Sequence, residues 1–183
     1  ADSQDLFIER IKEDGGNLFY LFKDKWLPLK KRKETYRIKG EDPLTLPVYE
    51  THHGPLLNNS LSLMPLPPEM PVQPLPVDIP FGLSLSWVVK DGDVTLDAFY
   101  RLGRASTMKE ARNAISGIHS IYLNIIYGDK NNIGWQVTGL YPLRKKGKGL
   151  FPSPGWTGEY EWQGFAPFSS LPHSENQIGR AHV

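Results

Sequence analysis

Residues 132–168 (NIGWQVTGLYPLRKKGKGLFPSPGWTGEYEWQGFAPF) constrain the fold more than any other segment, because their turns and aromatic residues follow one another in a fixed order. Ile133, Trp135 and Val137 alternate with small or polar residues, which is the period of a half-buried β-strand. Pro and Gly then punctuate residues 142–156, so a loop is predicted there. Aromatic residues supply the apolar area that can pin such a loop: Trp156, Tyr160, Trp162 and Phe165.

The first fifty residues favour antiparallel strands joined by tight turns. Apolar residues alternate with others on both sides of residues 14–17 (DGGN), and this pattern predicts a hairpin. A second tight turn at residues 23–25 (KDK) leads into a short strand, and alternation resumes over residues 34–39 and 44–50. We therefore expect a meander of antiparallel strands.

A proline recurs every two or three residues between positions 65 and 80. Proline fixes φ and removes a hydrogen-bond donor, so neither a helix nor a central strand can run through this segment. We interpret it as a rigid connecting loop. A ligand for a proline-binding module is the alternative. Residues 81–89 are expected to resume as a strand.

Two helices are predicted in the middle of the chain. Thr95 is a suitable N-cap for the first, and Thr107 with Glu110 forms a capping box for the second. A hairpin of strands 121–127 and 133–139 follows. The order of strands, a helix pair and further strands predicts the α+β class. The second helix is expected to bury four residues: Met108, Ala111, Ile115 and Ile118.

Composition limits the possible partners. The 183 residues suit about one domain, and 39% of them are hydrophobic, which is enough for a core. Because 21 basic residues face 20 acidic ones, neither a nucleic acid nor a membrane is predicted as a partner. The absence of cysteine excludes disulfides, zinc thiolate sites and a thiol nucleophile.

Several motifs resemble the penicillin acylase (penicillin amidase) family, which includes acyl-homoserine lactone acylases. Residues 51–55 (THHGP) resemble the Thr-x-His-Gly of that family, and residues 127–129 (YGD) are similar to its Tyr-Ala-Asp. Residues 2–9 (DSQDLFIE) resemble its Asp-x-x-Asp-(hydrophobic)-x-x-Glu, and residues 132–168 continue the match. The resemblance implies an N-terminal nucleophile hydrolase with a four-layer αββα sandwich. Residues 1–176 would form a partial large-subunit domain of it.

The resemblance also implies how the reaction proceeds. In the family a new terminal Ser attacks an amide, and its own amino group serves as the base. This chain begins Ala1-Asp2, so the resemblance places the nucleophile Ser, the oxyanion donor and the catalytic Asn outside it. We expect this segment alone to be inactive. Its implied partners are an acyl amide substrate and the small (α) subunit of the same precursor, in the periplasm or outside the cell.

The final residues depart from the family pattern after Asn176. Residues 178–183 (IGRAHV) are what a common sequencing adapter encodes in one reading frame, directly before a stop codon. We therefore interpret residues 177–183 as a non-native tail and exclude them from fold reasoning.

Two binding sites are implied by the resemblance. Trp87 and Leu123 match positions that line the acyl-chain pocket of relatives. A Trp in a strand is more often an ordinary core residue, and the two interpretations do not exclude each other. Asp2, the carbonyl of Gln4 and Asp5 match positions that hold Ca²⁺, and such oxygen donors suit a hard cation. The alternative for the aspartates is that they are solvated.

No histidine site is expected from the sequence. His53 precedes Gly-Pro and is interpreted as a hydrogen bonder that stabilises a turn, while His52, His119 and His173 lack metal-ligand spacing. The basic runs at residues 30–33 and 144–148 are interpreted as solvated turns, with Arg144 as a structural pin of its loop.

Two functions are therefore weighed. The first is a segment of an amidohydrolase that cleaves a linear amide, either a β-lactam side chain or an N-acyl-homoserine lactone. The alternative is a non-catalytic module that binds carbohydrate or Pro-rich peptide through exposed aromatic residues.

Overall fold

A computed structural model describes residues 2–58 and 81–177. The chain divides into two compact units: unit 1 comprises residues 1–3, 88–144 and 162–183, and unit 2 comprises residues 4–87 and 145–161. The whole Pro-rich segment (residues 65–80) and residues 178–183 of the predicted tail lie outside the described residues, and those two predictions stay open.

Unit 2 is built around a long first strand, β1 (Gln4–Asp14). Its second half pairs antiparallel with β2 (Asn17–Phe22), which pairs with β3 (Lys25–Pro28), so the predicted meander is confirmed for these strands. Its first half pairs antiparallel with β6 (Phe81–Trp87) and parallel with the short β10 (Ser153–Pro154).

A separate two-stranded sheet in unit 2 contains β4 (Lys30–Tyr36) and β5 (Leu44–Glu50). The basic run at residues 30–33 therefore lies in a strand, and its interpretation as a turn was wrong. The run is tolerated there because it is exposed and its cations have an acidic neighbour across the ladder. Arg32 Nε donates to Glu50 Oε1 over 2.8 Å, and Lys30 Nζ lies 3.5 Å from Glu50 Oε2.

Unit 1 contains the predicted helix pair, α1 (Thr95–Leu102) and α2 (Met108–Ile115). Thr107 is the N-cap of α2, and its hydroxyl accepts the backbone N–H of Glu110 over 3.1 Å, as predicted. Thr95 is not the N-cap of α1 but lies inside it, one residue after the N-cap Val94. The carboxylate of Asp93 accepts the Thr95 backbone N–H over 3.0 Å and supports the helix start instead.

The remaining strands of unit 1 form two small sheets. The hairpin of β7 (Asn124–Gly128) and β8 (Ile133–Val137) is confirmed, and β12 (His173–Glu175) pairs with β8 on its other side. Strand β9 (Pro142–Arg144) pairs with β11 (Trp162–Phe165), and a 3₁₀ turn at Phe168–Ser170 precedes β12.

Burial in unit 1 reverses the faces expected from the sequence. Strand β8 alternates with the predicted period, but Gln136 and Gly134 are buried while Ile133 is exposed. The hydrophobic core of unit 1 comes instead from the helices and the turn after α2, with Ile115 and Ile118 fully buried. Met108 and Ala111, also expected in that core, are only half-buried.

The same reversal occurs in unit 2. On β1 and β6 the inner face carries Glu9 and Ser84, both fully buried, beside the core residue Phe7. The opposite face carries Ile8 and Trp87, which are exposed. Polar side chains are therefore enclosed in both units, and several apolar ones point outward.

Candidate functional site

The turn at residues 51–54 positions the most unusual group of side chains in unit 2. Thr51 and Gly54 exchange backbone hydrogen bonds of 2.9 and 3.2 Å, which closes the turn. Gly54 has a φ of 146°, and a Cβ at this position would overlap the carbonyl oxygen of Leu85 on β6. Only glycine fits such a backbone so close to a strand. The turn therefore brings His52 and His53 to the inner face of β1.

His53 is buried between two carboxylates. Its Nδ1 donates to Glu9 Oε1 over 2.7 Å, and its Nε2 lies 2.9 Å from Glu161 Oε1. The ring stacks on Phe7 with 3.8 Å between centroids and 6° between planes. Burial acts to lower the pKa of His53, but the hydrogen bonds and charges of Glu161 and Glu9 outweigh it and raise the pKa above 6.5.

Glu9 is fully buried and holds the inner end of this group. Besides His53, its Oε1 accepts the hydroxyls of Thr51 and Ser84 over 2.9 and 2.7 Å, whereas its Oε2 has no hydrogen-bond partner. Burial acts to raise the pKa of Glu9, but the hydrogen bonds and charge of His53 with the two hydroxyls lower it overall. The carboxylate is thus held ionised inside the protein.

Glu161 and His52 form the partly exposed end of this group of side chains. His52 Nε2 lies 3.4 Å from Glu161 Oε2, and His52 Nδ1 lies 3.2 Å from the hydroxyl of Tyr20. Burial acts to raise the pKa of Glu161, but hydrogen bonds and charges of both histidines lower it to about 2. We call Glu9, His52, His53 and Glu161 the histidine–glutamate cluster.

The cluster brings together His52 and His53, for which the sequence predicted no common site. A carboxylate only accepts, so His53 can satisfy both neighbours only if each ring nitrogen carries a proton or a metal ion. The cluster can therefore hold a positive charge between two negative ones. Sequence spacing did not show it, because Glu9 and Glu161 lie 44 and 108 positions away from His53. The local signals were the Thr-x-His-Gly motif, which contains His53, and the motif of residues 2–9, which ends on Glu9.

The predicted acyl-pocket residues belong to different units. Trp87 ends β6 in unit 2 and is 44% exposed, and Leu123 precedes β7 in unit 1 and is 36% exposed. Neither side chain is an ordinary core residue within this chain. Their role as pocket residues stays a prediction.

One of the predicted calcium ligands, Asp2, is already paired with an arginine. The Asp2 carboxylate accepts Arg144 Nη1 and Nη2 over 2.9 and 2.6 Å, a bidentate ion pair within unit 1. Asp5 is buried on β1, and Gln4 begins that strand. The oxygen donors suit calcium, but a cation at Asp2 would have to displace the guanidinium. The Asp2 carboxylate as paired with Arg144 does not fit a calcium ligand, and calcium binding stays a prediction.

Comparison with known proteins identifies the family. A family model described as penicillin amidase matches residues 1–179. The chain belongs to the penicillin amidase family. An acyl-homoserine lactone acylase QuiP from Pseudomonas aeruginosa is 45% identical over 166 residues, which are 91% of this chain and 19% of that protein. A penicillin G acylase from Escherichia coli is 27% identical over 178 residues, 96% of this chain and 19% of that protein.

A solved structure shares the fold of this family member. The thermostable penicillin G acylase from Alcaligenes faecalis superposes with a TM-score of 0.72 at 24% identity, over 97% of this chain and 29% of that one. The α+β prediction and its assignment to the N-terminal nucleophile hydrolase fold are thereby confirmed. The chain spans 19–20% of the length of the curated relatives described here.

Family membership bears on the two functions weighed from the sequence. The matching relatives are acylases by name, which favours the amidohydrolase hypothesis over the carbohydrate- or peptide-binding module. Across residues 2–58 and 81–177, none of the helices is long and apolar enough to cross a membrane.

Proposed function

We propose that this chain is a scaffold segment of an amidohydrolase that cleaves the linear amide of an N-acyl-homoserine lactone. Identities support this substrate over a β-lactam side chain. Relatives named acyl-homoserine lactone acylase QuiP are 36–45% identical to the chain, whereas two penicillin acylases are 27% identical.

One structural observation carries the proposal: the outward face of the β1–β6 ladder is apolar. Leu6 lies opposite Leu85 and Ile8 lies opposite Leu83, so these side chains form a continuous aliphatic strip that ends at Trp87. Ile8 and Trp87 are exposed, and Leu6, Leu83 and Leu85 are half-buried. A strip of this kind suits the hydrocarbon tail of an acyl substrate.

The reaction chemistry is proposed to come from parts of the protein outside these 183 residues. There a terminal Ser would attack the amide carbonyl with its own amino group as base, and preorganised donors would stabilise the oxyanion. The chain described here would contribute one wall of the acyl pocket. The small subunit of the same precursor is the proposed partner, and the periplasm or the cell exterior is the proposed location.

The proposal is tested on the full-length enzyme that contains this chain. Rates are measured for N-acyl-homoserine lactones with short and long acyl chains and for an acylated β-lactam. Trp87→Ala is expected to lower kcat/KM for the long-chain lactone by about 10- to 100-fold, the equivalent of one large buried apolar side chain. The matched control is Trp26→Ala, because Trp26 is 41% exposed on β3 of the same unit.

Each result bears on a different part of the proposal. Equal losses in the Trp87 and Trp26 variants would contradict the acyl wall. Faster cleavage of the β-lactam amide than of every lactone would overturn the proposed substrate.

A further inference from the structure

The histidine–glutamate cluster has no role in the proposed reaction, yet its atoms converge as metal ligands do. Ligand atoms of His52, His53 and Glu161 all lie within 4.8 Å of one another. Bonds from zinc to nitrogen and oxygen are about 2.0–2.2 Å long, so tetrahedral ligand atoms lie roughly 3.3–3.6 Å apart. The two His Nε2 atoms lie 2.9 and 3.4 Å from the Glu161 carboxylate oxygens. Because no pair of these ligand atoms is farther apart than 4.8 Å, shifts of about 1 Å would bring one atom of each residue into that geometry.

The other nitrogen of each ring already has the partner that a metal-bound histidine requires. A ligating imidazole usually hydrogen-bonds through its second nitrogen to a carboxylate or another acceptor, which orients the ring. His53 Nδ1 donates to Glu9 over 2.7 Å, and His52 Nδ1 lies 3.2 Å from the Tyr20 hydroxyl. Both Nε2 atoms are thereby left directed at Glu161.

Charge balance points the same way. Two carboxyl groups flank the buried His53 ring, Glu9 at 2.7 Å from Nδ1 and Glu161 at 2.9 Å from Nε2. An imidazolium at His53 would compensate only one of them, whereas a divalent cation compensates both. Burial of an uncompensated charge costs several kcal/mol, so the divalent cation is favoured.

We propose that His52 Nε2, His53 Nε2 and the Glu161 carboxylate form a zinc site that fastens residues 145–161 to the inner face of β1. Two imidazoles and one carboxylate favour zinc over calcium or magnesium, which prefer oxygen ligands throughout. Binding replaces the proton on His53 Nε2, which passes to solvent. The His52 and Glu161 side chains are 32% and 26% exposed, so an ion can enter from outside.

Metal titration tests the site. The purified 183-residue chain is treated with a chelator, dialysed and titrated with Zn²⁺, and separately with Co²⁺ as a spectroscopic probe. One ion per chain is expected, with the visible absorption of four-coordinate cobalt. His52→Ala and Glu161→Gln should each weaken binding by more than the roughly 10- to 100-fold that loss of an outer-shell partner costs. His173→Ala, which removes an exposed histidine from unit 1, should bind as the parent does.

Several outcomes would overturn the site. One is a parent chain that binds no zinc in excess, and another is equal affinity in Glu161→Gln and the parent. A third comes from nitrogen NMR of the zinc-treated chain. If both ring nitrogens of His53 still carry protons, the cluster is an imidazolium between two carboxylates and the zinc assignment is wrong.

Discussion

The two units enclose polar groups by different means. In unit 2 the inner face of the sheet holds an ionised group, with Glu9 fully buried against His53. In unit 1 the fully buried polar side chains in β8 and directly after it are neutral, namely Gln136 and Thr138. Thr138 Oγ1 donates to Ile121 O over 2.7 Å and accepts Leu123 N–H over 2.9 Å, so its hydrogen-bonding needs are met by nearby backbone.

The neutral interior of unit 1 and the charged interior of unit 2 stabilise the fold in different ways. Neutral groups hydrogen-bonded to nearby backbone fasten adjacent strands, and their bonds do not depend on pH. The charged cluster joins a strand, a turn and a loop that are far apart in the chain, and it is stable only while its charges balance. Unit 2 is therefore expected to respond to pH and to charge-changing substitutions more strongly than unit 1.

The largest effect is expected from Glu9→Ala. Loss of this carboxylate leaves the remaining cluster without its buried partner and costs about 3–5 kcal/mol of unfolding free energy. Urea denaturation of the chain measures the loss. Glu13→Ala is the matched control on the same strand, where the exposed side chain should contribute no more than about 0.5 kcal/mol. Equal losses in both variants would show that the buried charge is not what stabilises unit 2.

A pH dependence is expected next, measured with a chelator present. The pKa of Glu161 is lowered from 4.5 to about 2, so its contribution is present above pH 4.5 and is lost as the pH falls towards 2. The loss is on the order of 3 kcal/mol. The pKa of His53 is raised above 6.5, so its contribution is complete below 6.5 and is lost as the pH rises through the folded-state value. Stability should therefore peak between about pH 4.5 and 6.5.

Two variants test whether the loss of stability at acidic pH arises from Glu161 in unit 2. Glu161→Gln should remove much of the acid-induced loss. Asp129→Asn, at a fully exposed carboxylate of unit 1 whose pKa is also lowered, should remove far less of it. The opposite ranking of the two variants would break the contrast between the units.

A smaller cost is expected from Gln136→Leu in unit 1. The Gln136 amide donates to Val137 O over 3.0 Å and accepts from Arg112 Nε over 3.3 Å. Its loss removes a hydrogen bond from two half-buried residues, Val137 and Arg112, which should cost about 1–3 kcal/mol of unfolding free energy, measured by urea denaturation. Gln163→Leu on the exposed β11 is the matched control and should be nearly neutral. If Gln136→Leu lowers the free energy of unfolding more than Glu9→Ala does, the neutral buried group of unit 1 contributes more to stability than the charged one of unit 2.

The smallest effect is expected at the start of α2. Thr107→Ala removes the hydroxyl that accepts the Glu110 backbone N–H and should cost about 1 kcal/mol. Thr107→Ser retains a hydroxyl and should recover most of that stability. A thermal melt of each variant measures the difference, and failure of Ser to recover it would mean that packing of the Thr methyl matters more than the cap.

Features with local causes were predictable from the sequence. The hairpin at residues 14–17 was predicted because glycine readily adopts the positive φ that such a turn requires. Gly15 and Gly16 both have positive φ in the structure. The N-cap at Thr107 was predicted because its hydrogen-bond partner, the Glu110 backbone N–H, lies only three residues away in the chain. The start of α1 was placed one residue too late, because Asp93 supports it from outside the helix. The histidine–glutamate cluster was missed because its members are distant in the chain and only the folded β1 brings them together.

The sequence by itself determined the first hairpin, the helix pair and the hairpin of β7 and β8, and it determined that each strand has two different faces, because side-chain alternation follows from backbone geometry alone. The tertiary structure decided which face is enclosed. On β1 and β8 it enclosed the face with Glu9 and Gln136 and left Ile8 and Ile133 exposed. Burial depends on what packs against a strand, and a polar face can be enclosed whenever distant segments supply its hydrogen bonds and opposite charges.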